Sequence, residues 1–188
     1  MIEMLSNKNY IKISFELTII YNDIEIRKFD LTRDSVSELT GVLNRSYKQL
    51  SDMGFRFHAT FQDDEVTLDR IKNAYCLIGL KEEKIIATIS YYTECGPEYC
   101  RWYDIEGVGH FGQFGVEPEL QKNGIGSKMM ELVEEHSLQR GDEELALDTA
   151  EGAHHLIEIY TKREYRFIEY VQWEVTNYRS VIMSKKLK

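Results

Sequence analysis

The sequence contains few of the residues that divide a chain into domains or cross-link it. Its 188 residues include two prolines, Pro97 and Pro118, and three cysteines. We find no low-complexity linker, and a chain of this length can fill one core, so we expect one main folded domain. Three cysteines are an odd number for a disulfide framework, which favours a reducing compartment. The sequence therefore predicts a cytoplasmic protein.

Long apolar runs and an excess of positive charge are also missing. No apolar run approaches the roughly 20 residues that cross a bilayer, and the segment MIEMLSNKNY does not resemble a secretion signal. Lys and Arg number 23 against 32 Asp and Glu, which gives a net charge of −9. Because an acidic surface repels nucleic acids and anionic lipids, we expect neither as a partner. An anionic ligand would need a local site that overrides this field.

The order of patterns along the chain predicts a mixed α/β fold. Alternation of apolar and polar residues over Ile11–Ile19 predicts an extra strand in an N-terminal extension, residues 1–22. The domain at 23–188 begins with a strand, and a first helix follows that is capped by Thr32 or Asp34. Further strands are predicted at 74–80, 84–92, 110–116, 144–149, 166–173 and 179–187, and helices at 64–73, 126–140 and 153–165. The strand–helix–strand order in the second half predicts a parallel pair.

The most informative segment is VEPELQKNGIGSKMMELVEEH, residues 116–136, where two glycines stand directly before a helical segment. A helix N-terminus presents unpaired N–H groups and the positive end of the peptide dipole. Gly124 and Gly126 let the backbone approach an anion without Cβ collisions, and Lys122 and Lys128 add positive charge. The loop lacks the Gly-Lys-Ser/Thr of a Walker loop, and Met129 replaces the third glycine of a dinucleotide fingerprint. A simpler alternative is that the glycines only tighten a strand–helix turn.

Two segments resemble the signatures of the GNAT superfamily of N-acetyltransferases. FGVEPELQKNGIGSKMM resembles its acyl-CoA-binding segment, a strand ending in Val-x-Pro followed by Gln/Arg-x-x-Gly-x-Gly/Ala at a helix start. HHLIEIYTKREYRF resembles the second signature, an apolar helix carrying a Tyr, followed by a Lys and an aromatic strand. The resemblance covers about residues 23–188 and implies a GNAT fold. In that fold helices flank a mostly antiparallel, twisted sheet with a splayed parallel pair at the acyl-CoA site.

The resemblance also implies a function and a cofactor site. It implies transfer of an acetyl group from acetyl-CoA to a primary amine of a small molecule, by direct attack without a covalent enzyme intermediate and without a metal. Phe114, Gly115 and Val116 would bind the pantetheine arm, with the Val116 N–H at the thioester oxygen. The pyrophosphate would be held by Gln121, Lys122, Asn123, Gly124, Ile125, Gly126 and Ser127.

Three residues are candidates for the acid and the base of such a reaction. Tyr160 resembles the family's tyrosine, which sits near the CoA sulfur and can donate a proton to it; otherwise it is a core residue on a helix face. Glu106 and His110 lie on or just before the splayed strand, where relatives place a base. His110 has a suitable intrinsic pKa, although a strand histidine is more often structural, and Gln113 cannot act as a base.

The chain departs from the family pattern at two positions. Ala153 stands where the family often has an Asn that contacts CoA, so that contact is expected to be missing. Glu164 stands where a glycine usually precedes the aromatic residue at the end of the helix. The second departure predicts a different ending for that helix.

Aromatic residues predict where the acceptor amine binds. By resemblance, the loop after the first helix and the loop before the central strand wall the acceptor pocket. We therefore assign Phe57, Phe61 and Trp102 to substrate binding. Aromatic rings favour a ligand with an apolar or cationic body, and the same rings could instead fill the edge of the core.

Several alternatives stay open from the sequence. A non-catalytic acyl-CoA-binding or sensor domain would have the same fold, and no carboxylate base is evident in sequence. The acidic surface also suits acetylation of a protein or peptide. His154, His155 and Glu158 lie close together on a helix, but no third ligand at a metalloprotease spacing accompanies them, so a polar helix face is favoured over a metal site. The unpaired edge of the N-terminal strand suggests a possible homodimer.

Overall fold

The computed structural model describes residues 18–93 and 100–188. In chain order the elements are β1 (Ile19–Tyr21), β2 (Ile24–Lys28), α1 (Val36–Asp52), α2 (Asp64–Ile71), β3 (Tyr75–Lys81), β4 (Lys84–Tyr92), β5 (Val108–Val116), α3 (Ile125–Arg140), β6 (Glu144–Ala150), α4 (His154–Lys162), β7 (Arg166–Val171) and β8 (Ser180–Lys186). Short 3-10 turns lie at His58–Thr60 and Pro118–Leu120. Over the described ranges, the model has no helix with the length and apolar character of a membrane span.

The eight strands found in residues 18–93 and 100–188 belong to one sheet with the order β1-β2-β3-β4-β5-β6-β8-β7. Each neighbouring pair is antiparallel except β5 and β6, which are parallel. The predicted mixed fold, the hairpin of β3 and β4 and the parallel pair are therefore confirmed.

The parallel pair of strands stays together only at its beginning. Val108 to His110 pair with Glu144 to Ala146, and both strands continue well beyond these partners. Gln113 lies in the continuing part of β5 with a φ of 46°, and the register between β4 and β5 shifts between Thr88 and Ser90. A bulge of this kind bends a strand away from its neighbour, so β5 separates from β6 and leaves a gap between them.

Two cores lie on opposite faces of the sheet. On one face α3 and α4 pack against the strands through residues such as Met129, Val133 and Tyr160. On the other face α1 and α2 pack through residues such as Leu43 and Ile71. Each central strand is therefore covered on both sides, and its ends are left to form loops and sites.

The first helix begins at a different cap from the predicted one. The side chain of Ser35 accepts a hydrogen bond from the Glu38 amide and forms the N-cap of α1. Asp34 cannot take this role, because both of its carboxylate oxygens accept hydrogen bonds from Arg27 at 2.7 Å. A buried arginine on β2 thus moves the helix start one residue beyond Asp34.

The predicted N-terminal strand can be compared with the structure only at its end. Most of Ile11–Ile19 lies outside the described residues, but Ile19–Tyr21 forms β1 and pairs antiparallel with β2. The sheet therefore begins before the predicted domain start at residue 23. The proposed dimer contact through that strand stays a prediction.

The end of α4 corrects the prediction drawn from Glu164. Arg163 is the C-cap, and Glu164 follows with a φ of 72°. This left-handed conformation is the one a glycine adopts easily at a helix end. Glu164 therefore takes the backbone geometry of the family's glycine, and the helix ending does not change.

Candidate active site

The loop before α3 exposes unbonded backbone N–H groups. Gly124 is the N-cap of α3 with a φ of 83° and no side-chain capping bond. The first hydrogen bond of the helix runs from the Lys128 amide to the Gly124 carbonyl at 3.0 Å. The N–H groups of Ile125, Gly126 and Ser127 precede that bond and have no acceptor within the helix. They form a donor set suited to a diphosphate.

Both glycines of the loop stand where a side chain would collide. A Cβ on Gly124 would lie 2.6 Å from the Tyr21 hydroxyl oxygen, and one on Gly126 would lie 3.2 Å from the edge of the Phe114 ring. The helix start is therefore held close to β1 and β5. The φ of Gly124 fits the sequence-based alternative of a tight turn, and these two close approaches give each glycine a packing reason as well.

The structure brings the predicted pyrophosphate-binding residues together in this loop. Ile125 is buried beneath it and anchors the helix start in the core. The Gln121 side chain donates to the Val116 carbonyl at 3.1 Å and ties the loop to the end of β5. The exposed members of the loop are Gln121, Lys122, Asn123 and Ser127. Lys128 forms an ion pair with Glu131 at 3.1 Å, so the positive charge facing solvent comes mainly from Lys122.

The amides of β5 alternate between its two neighbours. The Glu117 amide donates to the Ile86 carbonyl, toward β4, at 2.9 Å. Since successive amides of a strand point to opposite sides, the Val116 amide points toward the gap beside β6. The Phe114 amide points the same way and reaches the hydroxyl of Tyr47, whose pKa burial raises to about 12. Backbone donors therefore line the gap, as the resemblance implies for the pantetheine arm.

A cavity of about 510 Å³ opens at this gap. Its charged or titratable lining residues are Arg70, His58, His110, Asp148 and Glu174, and its aromatic ones include Tyr47, Phe57, Tyr92, Tyr103, Trp173 and Tyr178. A mostly apolar hollow with a few converging polar groups is the usual form of a small-molecule site.

Asp148 is the functional candidate that sequence reasoning missed. It lies on β6 at the cavity wall, and its Oδ2 accepts hydrogen bonds from Trp173 Nε1 at 3.0 Å and Ser180 Oγ at 2.9 Å. Burial raises the pKa of its carboxyl, although these two donors and the charge of Arg70 act in the opposite direction. The available signal was a carboxylate that follows the buried apolar residues Leu145–Leu147 in the strand ELALDTA.

The structure separates the two predicted bases. His110 lines the cavity, stacked on Tyr103 with ring centroids 4.2 Å apart, and burial lowers its pKa to about 4. Its Nδ1 is buried and has no hydrogen-bond partner among the described residues. Glu106 is exposed in the turn before β5 and lines a different hollow, together with Asp142. The structure does not bring Glu106 to the cavity.

Tyr160 is buried on α4 beside the gap. Its ring contacts those of Phe111 and Tyr165 at 6.5 and 6.1 Å between centroids. Burial raises the pKa of its hydroxyl, and the charges of Tyr47 and Asp148, two cavity residues, add to the effect. The hydroxyl is therefore protonated at neutral pH and lies within electrostatic range of the Asp148 carboxylate.

Of the three aromatic residues predicted to bind the acceptor, one lines the cavity and two do not. Phe57 is buried and lines the cavity. Phe61 is 46% exposed beneath the Arg56 guanidinium, outside the cavity lining. Trp102 packs into a separate cluster with Ile168 and Val171, near the start of β5. The structure does not bring Phe61 and Trp102 to the cavity, because one packs beneath Arg56 and the other packs in this separate cluster.

The helix face that carries His154, His155 and Glu158 has the character of a polar surface. Both histidines are exposed, and Glu158 forms an ion pair with Lys162 at 2.7 Å. Over 18–93 and 100–188, no three His, Cys, Asp or Glu side chains are grouped as a metal site would require.

Comparisons with known proteins identify the family. The family model described as "Acetyltransferase (GNAT) family" matches residues 43–165. The S-(2-succino)cysteine N-acetyltransferase of Bacillus subtilis (strain 168) is 31% identical over 123 residues, which span 64% of this chain and 72% of that protein.

Solved structures share the fold at low sequence identity. The ribosomal-protein-S18-alanine N-acetyltransferase of Escherichia coli has a TM-score of 0.66 at 12% identity, covering 88% of this chain and 94% of its own. An acetyltransferase of Salmonella typhimurium with its cofactor acetyl-CoA also has a TM-score of 0.66 at 12% identity, covering 89% and 95% of the two chains. The chain belongs to the GNAT acetyltransferase family and is an acetyl-CoA-dependent acyltransferase.

Proposed function

We propose that the protein acetylates the primary amine of a small molecule, by direct transfer from acetyl-CoA without a covalent enzyme intermediate. The observation that carries the proposal is the position of Asp148. Its carboxylate stands at the wall of a cavity of about 510 Å³, at the gap between β5 and β6. A cavity of this size accommodates a small amine rather than a folded protein surface.

Asp148 is the proposed general base, in place of His110 or Glu106. An alkyl ammonium has a pKa of about 10.4 and must lose a proton before its nitrogen can attack. Burial raises the pKa of Asp148, which makes the carboxylate a stronger proton acceptor than an exposed one. Hydrogen bonds from Trp173 and Ser180 fix its orientation. Burial lowers the pKa of His110 to about 4, so it is a weaker base than an ordinary histidine.

The cofactor side is proposed to work through backbone donors. The amides of Ile125, Gly126 and Ser127, which have no acceptor within the helix, suit the diphosphate of acetyl-CoA. Bound acetyl-CoA supplies the acetyl thioester. The Val116 amide, pointing into the gap, is positioned to donate to the carbonyl oxygen as negative charge develops there.

Tyr160 is the proposed general acid. As the new C–N bond forms and the C–S bond breaks, the amine proton passes to Asp148 and the leaving thiolate needs a proton. The Tyr160 hydroxyl is protonated at neutral pH, because burial raises its pKa. The charges of Tyr47 and Asp148 act on it, so it lies within electrostatic range of both.

Two other functions considered from the sequence have less support. The sensor hypothesis depended on the lack of a carboxylate base, and Asp148 supplies one. Acetylation of proteins has no supporting feature in the described cavity, whereas the Bacillus subtilis relative is named for a small amino-acid derivative. Cytoplasmic location stays a prediction.

The test is an acetylation assay on a panel of amines. Purified protein is incubated with acetyl-CoA and each amine, among them S-(2-succino)cysteine, other amino acids, polyamines and peptides with free N-termini. Free thiol release and the mass of the acetylated product are measured together. We expect a small amine to be acetylated, and acetylation of peptides alone would contradict the proposal. Tight binding of acetyl-CoA without product from any amine would support the sensor function.

A further inference from the structure

Arg70 places a positive charge on the cavity wall that no neighbouring carboxylate neutralises. It lies on α2, is half-buried and lines the cavity. Among the described residues, no Asp or Glu oxygen lies within ion-pair distance of it. Other arginines have such partners: Arg27, Arg33, Arg45, Arg163, Arg166 and Arg179. A half-buried guanidinium has lost part of its hydration, and no anion within ion-pair distance compensates its charge.

Neutral side chains hold the Arg70 guanidinium in place. Its Nη1 donates to Gln62 Oε1 at 2.9 Å. Gln62 in turn donates through Nε2 to Thr67 Oγ1 at 2.7 Å and to Gln113 Oε1 at 2.8 Å. Gln113 is the residue at the bulge of β5. The bond network therefore fixes the charged group relative to the gap while leaving its charge available.

Negatively charged side chains line another part of the same cavity. Asp148 stands on β6, and Glu174 lies at the exposed rim. The effect of the Arg70 charge on the pKa of Asp148 shows that the two groups are within electrostatic range. The cavity is therefore dipolar, with a place for a cation beside Asp148 and a place for an anion beside Arg70.

We propose that Arg70 binds a carboxylate of the acceptor, so that the substrate is an amino acid or an amino-acid derivative. This inference rests on the proposed function, because it takes the amine to lie at Asp148. Guanidinium and carboxylate match in planar, two-bond geometry. The buried Nδ1 of His110, without a partner among the described residues, adds a further polar atom on the same wall.

The inference excludes one class of acceptor and favours another. A polyamine or a polycationic sugar would bring a second positive charge toward Arg70, and like charges in a partly dehydrated cavity repel strongly. A zwitterionic amine puts each charge against its opposite. The Bacillus subtilis relative is named for an acceptor that carries carboxylates.

The experiment compares acceptors that differ only in their carboxylates, using Arg70→Gln, Arg70→Lys and a control. The acceptors are S-(2-succino)cysteine, S-ethylcysteine, which lacks the succinyl carboxylates, and S-(2-succino)cysteamine, which lacks the α-carboxylate. The control is Arg33→Gln, which removes one charge from an exposed arginine paired only with Asp30 at 3.6 Å. Both charge-removing variants change the net charge equally, so a general field effect would appear in both.

We expect Arg70→Gln to raise the KM for the preferred carboxylated acceptor by about 10- to 100-fold, the usual range for a lost charged hydrogen bond. The kcat and the KM for acetyl-CoA should change less than about threefold, and Arg33→Gln should resemble the wild type. Removing the carboxylate that Arg70 binds should cost the wild type a similar factor and leave Arg70→Gln nearly unaffected. Arg70→Lys should fall between the two, because it keeps the charge but loses the planar pair.

A second readout separates this inference from the proposed function. Binding of the same three acceptors is measured by calorimetry without acetyl-CoA, for each variant. If no amine is acetylated, the proposed function fails, and binding alone then decides the Arg70 inference. Equal losses of affinity for carboxylated and carboxylate-free acceptors, or no loss in Arg70→Gln, would overturn it.

Discussion

The proposed cofactor side of the site is made of backbone from one continuous stretch, residues 114–127, whereas the proposed acceptor side is made of side chains from distant segments. The loop before α3 offers its amides directly, and two glycines keep side chains out of the way. The acceptor cavity draws Arg70 from α2, His110 from β5, Asp148 from β6 and Trp173 from the segment after β7. A local sequence pattern can therefore predict the cofactor side, whereas the acceptor side is recognised only in the folded structure.

This difference explains why a motif shared with a known family indicates the cofactor side, whereas no such motif indicates the acceptor side. Every acyltransferase that uses the same cosubstrate has to hold the same diphosphate, so a short backbone motif serves all of them. The acceptor varies, and side chains at scattered positions can vary with it without disturbing the sheet. Mutations in residues 114–127 should therefore weaken cofactor binding, whereas mutations in the acceptor cavity should change acceptor specificity or turnover.

The largest effect on cofactor binding is expected for Gly124→Val. The residue has a φ of 83°, and its Cβ would lie 2.6 Å from the Tyr21 hydroxyl oxygen. Valine would be strained at this positive φ and its side chain would displace the Tyr21 hydroxyl, so we expect acetyl-CoA affinity to fall by at least about 100-fold, measured by calorimetry. Gly141→Val is the matched control, since Gly141 has a φ of 100° with nothing near its Cβ position. Normal cofactor affinity in Gly124→Val would remove the diphosphate assignment.

Asp148→Asn should reduce kcat by about 1000-fold while leaving acetyl-CoA affinity unchanged. The amide keeps an oxygen that can accept from Trp173 and Ser180, but it cannot take a proton. In the wild type, kcat/KM should rise with pH through the pKa of this carboxyl, which burial raises above its ordinary value. A variant with full turnover, or an unchanged acidic limb of the profile, would show that the base lies elsewhere.

The same substitution should stabilise the protein at neutral pH. Burial raises the folded-state pKa of Asp148 above its unfolded value, so the folded state holds the proton more tightly. The stabilising contribution of this group is greatest at low pH and is lost as pH rises through the raised pKa. Asp148→Asn removes that loss, and thermal denaturation should show a higher Tm than the wild type at pH 7 and a smaller difference at low pH. A lower Tm at pH 7 would contradict this reasoning.

Tyr160→Phe should lower kcat by about 100-fold with acetyl-CoA affinity nearly unchanged. The ring contacts with Phe111 and Tyr165 remain, so the core should tolerate the change. Comparing acceptors at saturating acetyl-CoA checks whether the loss is the same for all, as expected for a group that protonates the leaving thiolate. An unaltered rate would leave Tyr160 as a core residue only.

The smallest effect is expected for Gly126→Ala. Its Cβ would meet the far edge of the Phe114 ring at 3.2 Å, and Phe114 is only half-buried and can shift by a few tenths of an ångström. Acetyl-CoA affinity should fall by about two- to fivefold, with the KM for the amine unchanged. A change in the KM for the amine, with acetyl-CoA affinity unchanged, would contradict the assignment of this loop to the cofactor side.

Some features of the fold were predictable because they depend on short-range patterns. The hairpin of β3 and β4, the helix ending at Gly141 and the loop at Gly124 all follow from local alternation, spacing and glycine placement. The cap of α1 was not predictable in this way. Asp34 has the right residue type, but its pairing with Arg27 on β2 removes it from that role, and only the folded chain shows this.

By itself, the sequence determined the mixed fold, the parallel pair and the glycine loop before α3, which we propose binds the cofactor, because neighbouring residues set the local backbone of each. Only the tertiary structure decided which polar groups face one another across the acceptor cavity. Glu106 and Trp102 are close in sequence to the splayed strand but lie outside the cavity lining. Asp148 and Arg70 both line the cavity, although they are 78 residues apart in the sequence. The packing of helices on the twisted sheet determines which of these residues line the cavity, and a local sequence pattern does not predict it.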